Sequence, residues 1–360
     1  MGEPNYALDA PAAGERLAAP ALDYLPRRPK DMSARIGLVG CGGIAATHLQ
    51  AYRDAGLDVV ALCDRTRAKA EKLKAEYFPA ADVEHSAAEL IARGDVEVVD
   101  LTPHPEDRLP LLQVAIAAGK HVLSQKPFVE DLAAGRRLCD LADAKGVLLA
   151  VNQNGRFAPH LACLREAARA GLLGEIEAVR IAIQWDHNWV AGLPFDDIPD
   201  LVLYDFAIHW FDFVASVFPG RRADSVFACA TVSPGQRARP PLLAQVVARF
   251  GAAQASLSFD ADCKFDPLDE TAIIGTKGTA RSRGPSLSDQ RVTVHTSEGW
   301  FAPELEGSWF PGGFAGAMLE LLAAIESGEP PRHAARENLR SLELCFAARE
   351  SAVKGAPVAP

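Results

Sequence analysis

Three constellations in this 360-residue chain carry side chains suited to proton transfer or to holding hydroxyls. The first is His121-Val-Leu-Ser-Gln-Lys-Pro127, an apolar run that delivers Lys126 to a strand exit. In a partly dry crevice beside a cationic group, the neutral amine is favoured, which suits a general base. A surface lysine at a strand exit is the plain alternative. The second is Asp205 and His209 within LVLYDFAIHWFDF. Spacing i, i+4 predicts both on one face of a helix, among Leu203, Phe206, Ile208, Trp210 and Phe213. Polar groups on so apolar a helix need partners, and a carboxylate beside an imidazole is a proton-handling pair. The same two residues would serve as a satisfied core pair. As metal ligands they lack a third ligand at suitable spacing, so no metal site is expected. The third is Gln184-Trp-Asp-His-Asn-Trp189. Trp185 and Trp189 offer faces for sugar C–H groups, and Asp186, His187 and Asn188 offer partners for hydroxyls. An ordinary aromatic-rich loop would read the same way.

The elements that must position these groups begin at Arg35 to Tyr52, RIGLVGCGGIAATHLQAY. Ile36 to Val39 is a β-branched apolar run and reads as a buried strand. Gly40, Gly42 and Ala45 follow as G-x-G-x-x-A, and Leu49 and Tyr52 continue at helical spacing to a stop at Gly56. Gly40 permits a sharp turn, Gly42 and Gly43 leave room for a pyrophosphate, and Ile44 and Ala45 open a helix whose N–H groups face the anion. A second strand, Leu57 to Cys63, ends in Asp64, 22 residues beyond Gly42, where a carboxylate would hold a ribose. That acid favours NAD over NADP, although the adjacent Arg65 could turn toward a 2′-phosphate.

From 35 to 151 the pattern repeats strand then helix, predicting a doubly wound parallel sheet. Strands are expected at 35–39, 58–63, 96–102, 120–124 and 147–151. Gly40, Asp64, Thr102 (with Pro103 and His104) and Gln125 then stand at their carboxyl ends, at the switch point where ligands bind. After Asn152 the pattern changes. Helices are expected near 157–170 and 200–217, a long strand at 176–185, then strands at 224–232, 242–250, 253–260, 270–275 and 291–296, and closing helices at 314–327 and 336–354. Successive short strands joined by turns predict an open, mostly antiparallel sheet, with one face left for a second copy of the chain. The fold class is therefore α/β. A dinucleotide-binding domain is expected over 33–152 and a substrate-binding and oligomerisation domain over 153–360. Residues 1–32, rich in Ala and Pro, read as a flexible arm, or as one whose patch Ala21 to Leu25 docks on a neighbouring subunit.

A formal charge of −10 argues against nucleic acid or anionic membrane as a partner. Seven scattered cysteines suggest neither a disulfide framework nor zinc; Cys41, Cys63 and Cys229 lie in apolar runs and read as small core residues. A reducing cytoplasm is the expected location. No apolar stretch approaches the ~18 residues that a membrane span needs.

The segments IGLVGCGGIAATHL, VVALCDR, VEVVDLTP, AGKHVLSQKPFVEDL, VNQNGRF and LYDFAIHWFD together resemble the glucose–fructose oxidoreductase, inositol dehydrogenase and rhizopine-catabolism (Gfo/Idh/MocA) superfamily. They span about residues 35–215, and NLRSLELCFAARESAVKG is similar to its last helix. The resemblance implies an N-terminal Rossmann domain and hydride transfer between NAD and a hydroxyl-bearing carbon of a sugar, inositol or related polyol. It also implies that Lys126 is the catalytic lysine, that Asp205 and His209 bind substrate and transfer its proton, and that Asn154 and Arg156 lie on the substrate side. Two departures stand out. Gln125 occupies the position before Lys-Pro where the family usually has Glu, and the loop from Thr102 to Arg108 carries Arg108 where a His is common. Two other readings fit the same motifs: an eliminating or hydrolytic enzyme that oxidises its substrate transiently with NAD, and a non-catalytic dinucleotide sensor.

Overall fold

The computed structural model describes residues 14–360. Its first sheet is six-stranded and wholly parallel, in the order β3-β2-β1-β4-β5-β6. The strands are β1 Arg35–Val39, β2 Asp58–Cys63, β3 Asp82–Val83, β4 Val98–Leu101, β5 His121–Gln125 and β6 Leu149–Asn152. The helices between them are α1 Ala45–Ala55, α2 Arg67–Tyr77, α3 Ala87–Ala92, α4 Pro105–Ala117 and α5 Leu132–Lys145. Local chemistry sets their ends. Gly56 and Gly146 close α1 and α5 in the left-handed conformation, and the Asp131 carboxylate caps the first amides of α5. Strand β3 is absent from the sequence-based expectation, because two residues at a sheet edge are too short to leave a pattern.

The second sheet has eight strands in the order β14-β13-β12-β11-β7-β10-β9-β8. After α6 Pro159–Arg169 come β7 Ile176–Gln184 and α7 Ile208–Val217. The remaining strands are β8 Ser225–Thr231, β9 Leu243–Phe250, β10 Ala253–Asp260, β11 Leu268–Gly275, β12 Gly278–Gly284, β13 Arg291–Thr296 and β14 Gly299–Phe301. Among this sheet's strands in the described residues only β7 and β10 pair in parallel, and Arg16 adds a single parallel bridge to Trp300 of β14. Strands β12 and β14 are additions to the expected set: β12 carries Thr279, Arg281, Ser282 and Arg283, which read as a turn-rich polar stretch rather than a strand. One face of this sheet is covered by helices. The other exposes Phe227 and Val247, which pair across β8 and β9.

Helix α8 Gly312–Ser327 packs back onto α1 and β6 of the first sheet's layer, while α9 Ala335–Lys354 runs between α5 of that layer and α7 and β8 of the second. Phe314, Met318 and Leu322 of α8 share a core with Leu49 and Tyr52 of α1, so packing crosses the expected division at 152/153. The arm is corrected over its described part. Residues 14–32 lie along their own chain, with Leu22 and Tyr24 packed on the core and Arg27 clasping Glu320 and Glu329. Residues 1–13 of the expected arm lie outside the described residues. Cys229 is also corrected: it is exposed, because it points to the uncovered face of β8, while Cys41 and Cys63 are buried. No helix among the described residues is long and apolar enough to cross a membrane.

Candidate active site

The glycine turn leaves β1 at Gly40, whose φ of +95° and 2.9 Å approach of a would-be Cβ to Pro103 admit only glycine. Gly42 and Gly43 differ: a Cβ on either would meet nothing within 4 Å. That open cradle at the start of α1, under Ile44, is the shape a pyrophosphate fills. Thr102 braces the turn by donating its hydroxyl to the carbonyls of Val39 and Gly40. The Asp64 carboxylate stands at the end of β2 and accepts from the amides of Cys41 and Thr66, both at 2.7 Å. A carboxylate has about four lone-pair sites, so room remains for a ribose diol. Arg65 is exposed and pairs with Asp107 at 3.0 Å, while His104 is exposed at the start of α4. The residues present therefore fit a dinucleotide.

Arg108 is fully buried and donates to the carbonyls of Pro103 and Pro127. It ties the loop after β4 to the loop carrying Lys126, and burial pulls its pKa down to about 9.

At the exit of β5, Lys126 Nζ donates to the Asp205 carboxylate and to the Asp205 carbonyl, each at 2.9 Å. This changes the expected pairing of Asp205 with His209. Residues Val202–Phe206 form one π-helical turn, with the Ala207 amide bonded to the Val202 carbonyl five residues back. The wider turn breaks the i, i+4 stacking, as inserted π turns do at functional sites. Asp205 reaches Lys126 instead. His209, the second residue of α7, lies against Gly155 and against Trp309, at 5.4 Å between ring centroids. Its Nδ1 is buried without a partner among the described residues, while the residue as a whole keeps some exposure. Burial first, and then the nearby Lys126, hold its pKa well below the ordinary value.

The remaining substrate-side candidates divide. Trp185 is half-buried, stacked on His187 and edge-on to Trp210. Asp186 and Asn188 are tied to each other, and Asn188 also holds Asp262 and the Arg237 amide, so they build the loop rather than offer groups to a hydroxyl. Asn154 accepts the Trp309 indole N–H at 2.7 Å. Arg156 directs two nitrogens at Asp212 and a third at the Arg332 carbonyl. Both are buried, with these partners holding them in the C-terminal layer. Trp309, which backs His209, gave no signal in the sequence because its loop lies far along the chain from α7.

Residues 34–153 match the oxidoreductase family with an NAD-binding Rossmann fold, and residues 161–281 match the GFO/IDH/MocA C-terminal domain. Myo-inositol dehydrogenase Hyg17 of Streptomyces leeuwenhoekii is 30% identical over 346 residues, 90% of this chain and 99% of that one. The chain belongs to the Gfo/Idh/MocA family. A D-apiose dehydrogenase of Paraburkholderia graminis is 25% identical over 337 residues, 89% of this chain and 88% of its own. Among solved structures, an oxidoreductase from Agrobacterium radiobacter in complex with NAD+, L-tartaric acid and magnesium superposes with a TM-score of 0.81. It is 21% identical and covers 91% of this chain and 98% of its own, a likeness of fold. This Gfo/Idh/MocA chain is thus an oxidoreductase whose cofactor is NAD, with a parallel Rossmann sheet and a separate open sheet.

Proposed function

We propose that the protein is a dehydrogenase acting on a hydroxyl-bearing carbon of a sugar, inositol or related polyol. The observation that carries this reading is that Lys126 at the exit of β5 meets Asp205 of the π turn at 2.9 Å, with His209 following at the start of α7 within reach of the lysine's charge. The printed activities of the relatives, on inositol and apiose, support a polyhydroxylated substrate. When bound, NAD supplies the hydride acceptor, and Gly42, Gly43, Ile44 and Asp64 would hold its phosphates and ribose. Two bonds to Asp205 leave one tetrahedral position on Lys126 Nζ, which we assign to the substrate hydroxyl and its departing proton. Asp205 fixes that amine. An unpartnered lone pair is easier to bury than an unpartnered N–H, so His209 carries its hydrogen on Nε2 and donates it to the same oxygen. Trp185 lines the far side.

Lys126→Met keeps the stem and is expected to lower kcat at least ~10²-fold, the low end for a positioned acid–base group. His209→Asn should be milder. Both are measured as NADH formation over aldoses, inositols and sugar acids, with circular dichroism as the folding check. Turnover within ~3-fold of wild type by a folded Lys126→Met enzyme, far short of that contribution, removes the lysine from the mechanism. Product without net NADH favours transient oxidation instead.

The chain is further read as two units dividing near 152/153, as cytoplasmic, and as a homo-oligomer through the open sheet. Phe227 and Val247, adjacent on its uncovered face, support the last of these. Phe227→Asp with Val247→Asp should shift the mass measured by light scattering toward the monomer.

A further inference from the structure

Behind Lys126 lies a chain of hydrogen bonds that the reaction scheme above does not use. Asp100 sits in the middle of β4 with no exposure, the one charged residue in an otherwise apolar strand. Its Oδ2 accepts from the Tyr52 hydroxyl at 2.7 Å and meets His48 Nδ1 at 2.8 Å. His48, also without exposure, turns Nε2 toward Asn152 Nδ2 at 3.0 Å and Gln125 Nε2 at 3.4 Å. Gln125 Oε1 accepts the Lys126 backbone amide at 2.7 Å and Asn152 Nδ2 at 3.3 Å. The chain therefore joins the helix at the dinucleotide turn, α1, to strands β4, β5 and β6 and ends on the lysine.

The direction of every bond follows from its ends. A backbone N–H can only donate, so the Gln125 oxygen faces Lys126 and its amino group faces His48. Asn152 must likewise turn its amino group toward the Gln125 oxygen. Two amino groups then point at Nε2, which must accept, and Nδ1 keeps the hydrogen that the Asp100 carboxylate receives. A carboxylate at 100 and an amide at 125 are thus the two ends of one donor–acceptor sequence read through a single imidazole.

We propose that His48, held as the Nδ1–H tautomer by Asp100, is a positioning residue for Lys126, and that Asp100 and Gln125 are a matched pair. This explains why Gln stands before Lys-Pro here: a carboxylate at 125 has no hydrogen to give Nε2. The kinetic consequence rests on the reading of Lys126 as the catalytic amine; the tautomer does not.

The test uses the full chain with 15N-labelled histidine, His48 being assigned by loss of its signals in His48→Asn. Wild type is expected to show protonated Nδ1 and bare Nε2. In Gln125→Glu, Nε2 should gain a hydrogen, and kcat should fall at least about 10-fold with KM for NAD within about 3-fold, as for a displaced catalytic group. Asp100→Asn should lower kcat while Gln125 is kept, and should raise it when added to Gln125→Glu. In that double variant the new amide at position 100 donates to Nδ1, and Nε2–H donates to the new carboxylate at position 125, with the Asn152 amide turned so that its oxygen, unpartnered among the described residues, replaces its amino group beside Nε2. A role that only fills the core would make Asp100→Asn harmful in both backgrounds, and that result overturns the proposal. So does bare Nδ1 in wild type. If Asp100→Asn does not fold, the Gln125→Glu spectrum decides alone: an unchanged tautomer overturns the matched pair. Should Lys126→Met leave turnover intact while the tautomers behave as described, the reading of the lysine fails and the network stands.

Discussion

Two carboxylates are buried to the same degree in different regions of this molecule, and their environments drive them in opposite directions. Glu320, on α8 beneath the N-terminal segment, has no exposure and accepts from the Arg27 amide and Nε, both at 2.9 Å, and from Arg332 Nη2 at 3.0 Å. Asp269, on β11 of the second sheet, is 1% exposed, and neither of its oxygens has a partner among the described residues. Burial raises the pKa of both. At Glu320 the hydrogen bonds from Arg332 and Arg27 outweigh burial and hold it at about 2. At Asp269 nothing opposes burial and the pKa rises to about 7. Burial alone therefore does not say whether a carboxylate is ionised; the donors around it do. The N-terminal segment, which the sequence suggested was a flexible arm or one docked on a neighbouring subunit, supplies two of these donors, and the Arg332 amide at 3.2 Å adds a fourth.

Asp269→Asn gives the largest break in this comparison. The folded acid holds a proton that the unfolded chain releases near 3.8, so stability falls as pH rises from there through about 7. Asparagine has no proton to release over that window. At about 1.4 kcal/mol for each pH unit of the window, the variant should be about 4 kcal/mol more stable relative to wild type at pH 8 than at pH 3.5. Urea midpoints at both pH values test it; a pH-independent difference would show that Asp269 is ionised in the fold.

Glu320→Gln runs the other way. A depressed acid contributes stability that is fully present above its unfolded value of 4.5 and is lost as pH falls toward about 2. The variant should be about 3 kcal/mol less stable at pH 7 and should converge on wild type near pH 2. Equal loss at both pH values would assign the effect to packing. Arg27→Met removes only one of the two guanidiniums, and hydrogen bonds to charged groups contribute about 1.5–3 kcal/mol each, so about 2 kcal/mol is expected. Cleavage of the 14–32 segment by protease should quicken in parallel; an unchanged cleavage rate would mean that Tyr24 and Leu22 suffice to hold it.

The same contrast between local and distant partners separates what was legible in the sequence. Strands β1 and β2 are mostly apolar runs ended by Gly40 and Asp64, and β4 and β5 have apolar centres with a Pro within two residues of their ends, so their patterns announce them. The glycine turn and Asp64 are local to each other and were readable for that reason. Lys126, Asp205 and His209 were identifiable singly, but not the partner of each, because one extra residue in the turn at Val202–Phe206 redirects Asp205. Arg27 finds Glu320 across 293 residues, which no local pattern encodes. Asp100 did leave a sign, an acid in the apolar run VEVVDLTP, as did His48 in the helix after the glycine turn. What was missing was the third dimension that aligns β4, β5 and α1 around one imidazole.

The smallest effect is expected where unpartnered groups meet the crevice. Trp185 stacks on His187 at 5.4 Å with an interplanar angle of 21°, and His187 in turn lies 4.0 Å from the Phe206 ring, next to Asp205. Burial lowers the His187 pKa to about 4, and its Nδ1 has no partner among the described residues. Near neutral pH the pair is therefore an uncharged aromatic wall, better suited to the C–H face of a polyol than to an ion. Taking the about 0.5–1.5 kcal/mol that a ring pair gains beyond its area as the scale for a ring on C–H groups, Trp185→Ala should raise KM for the polyol about 3–10-fold, by the rule that 1.4 kcal/mol is tenfold. Trp185→Phe should recover most of that loss, because a face remains. Affinity for NAD, measured by fluorescence titration of the free enzyme, should stay unchanged, since Gly42 and Asp64 lie at the other sheet. If KM for substrate is unaltered while NAD affinity drops, Trp185 belongs to the cofactor's side of the crevice and the wall serves the nicotinamide instead.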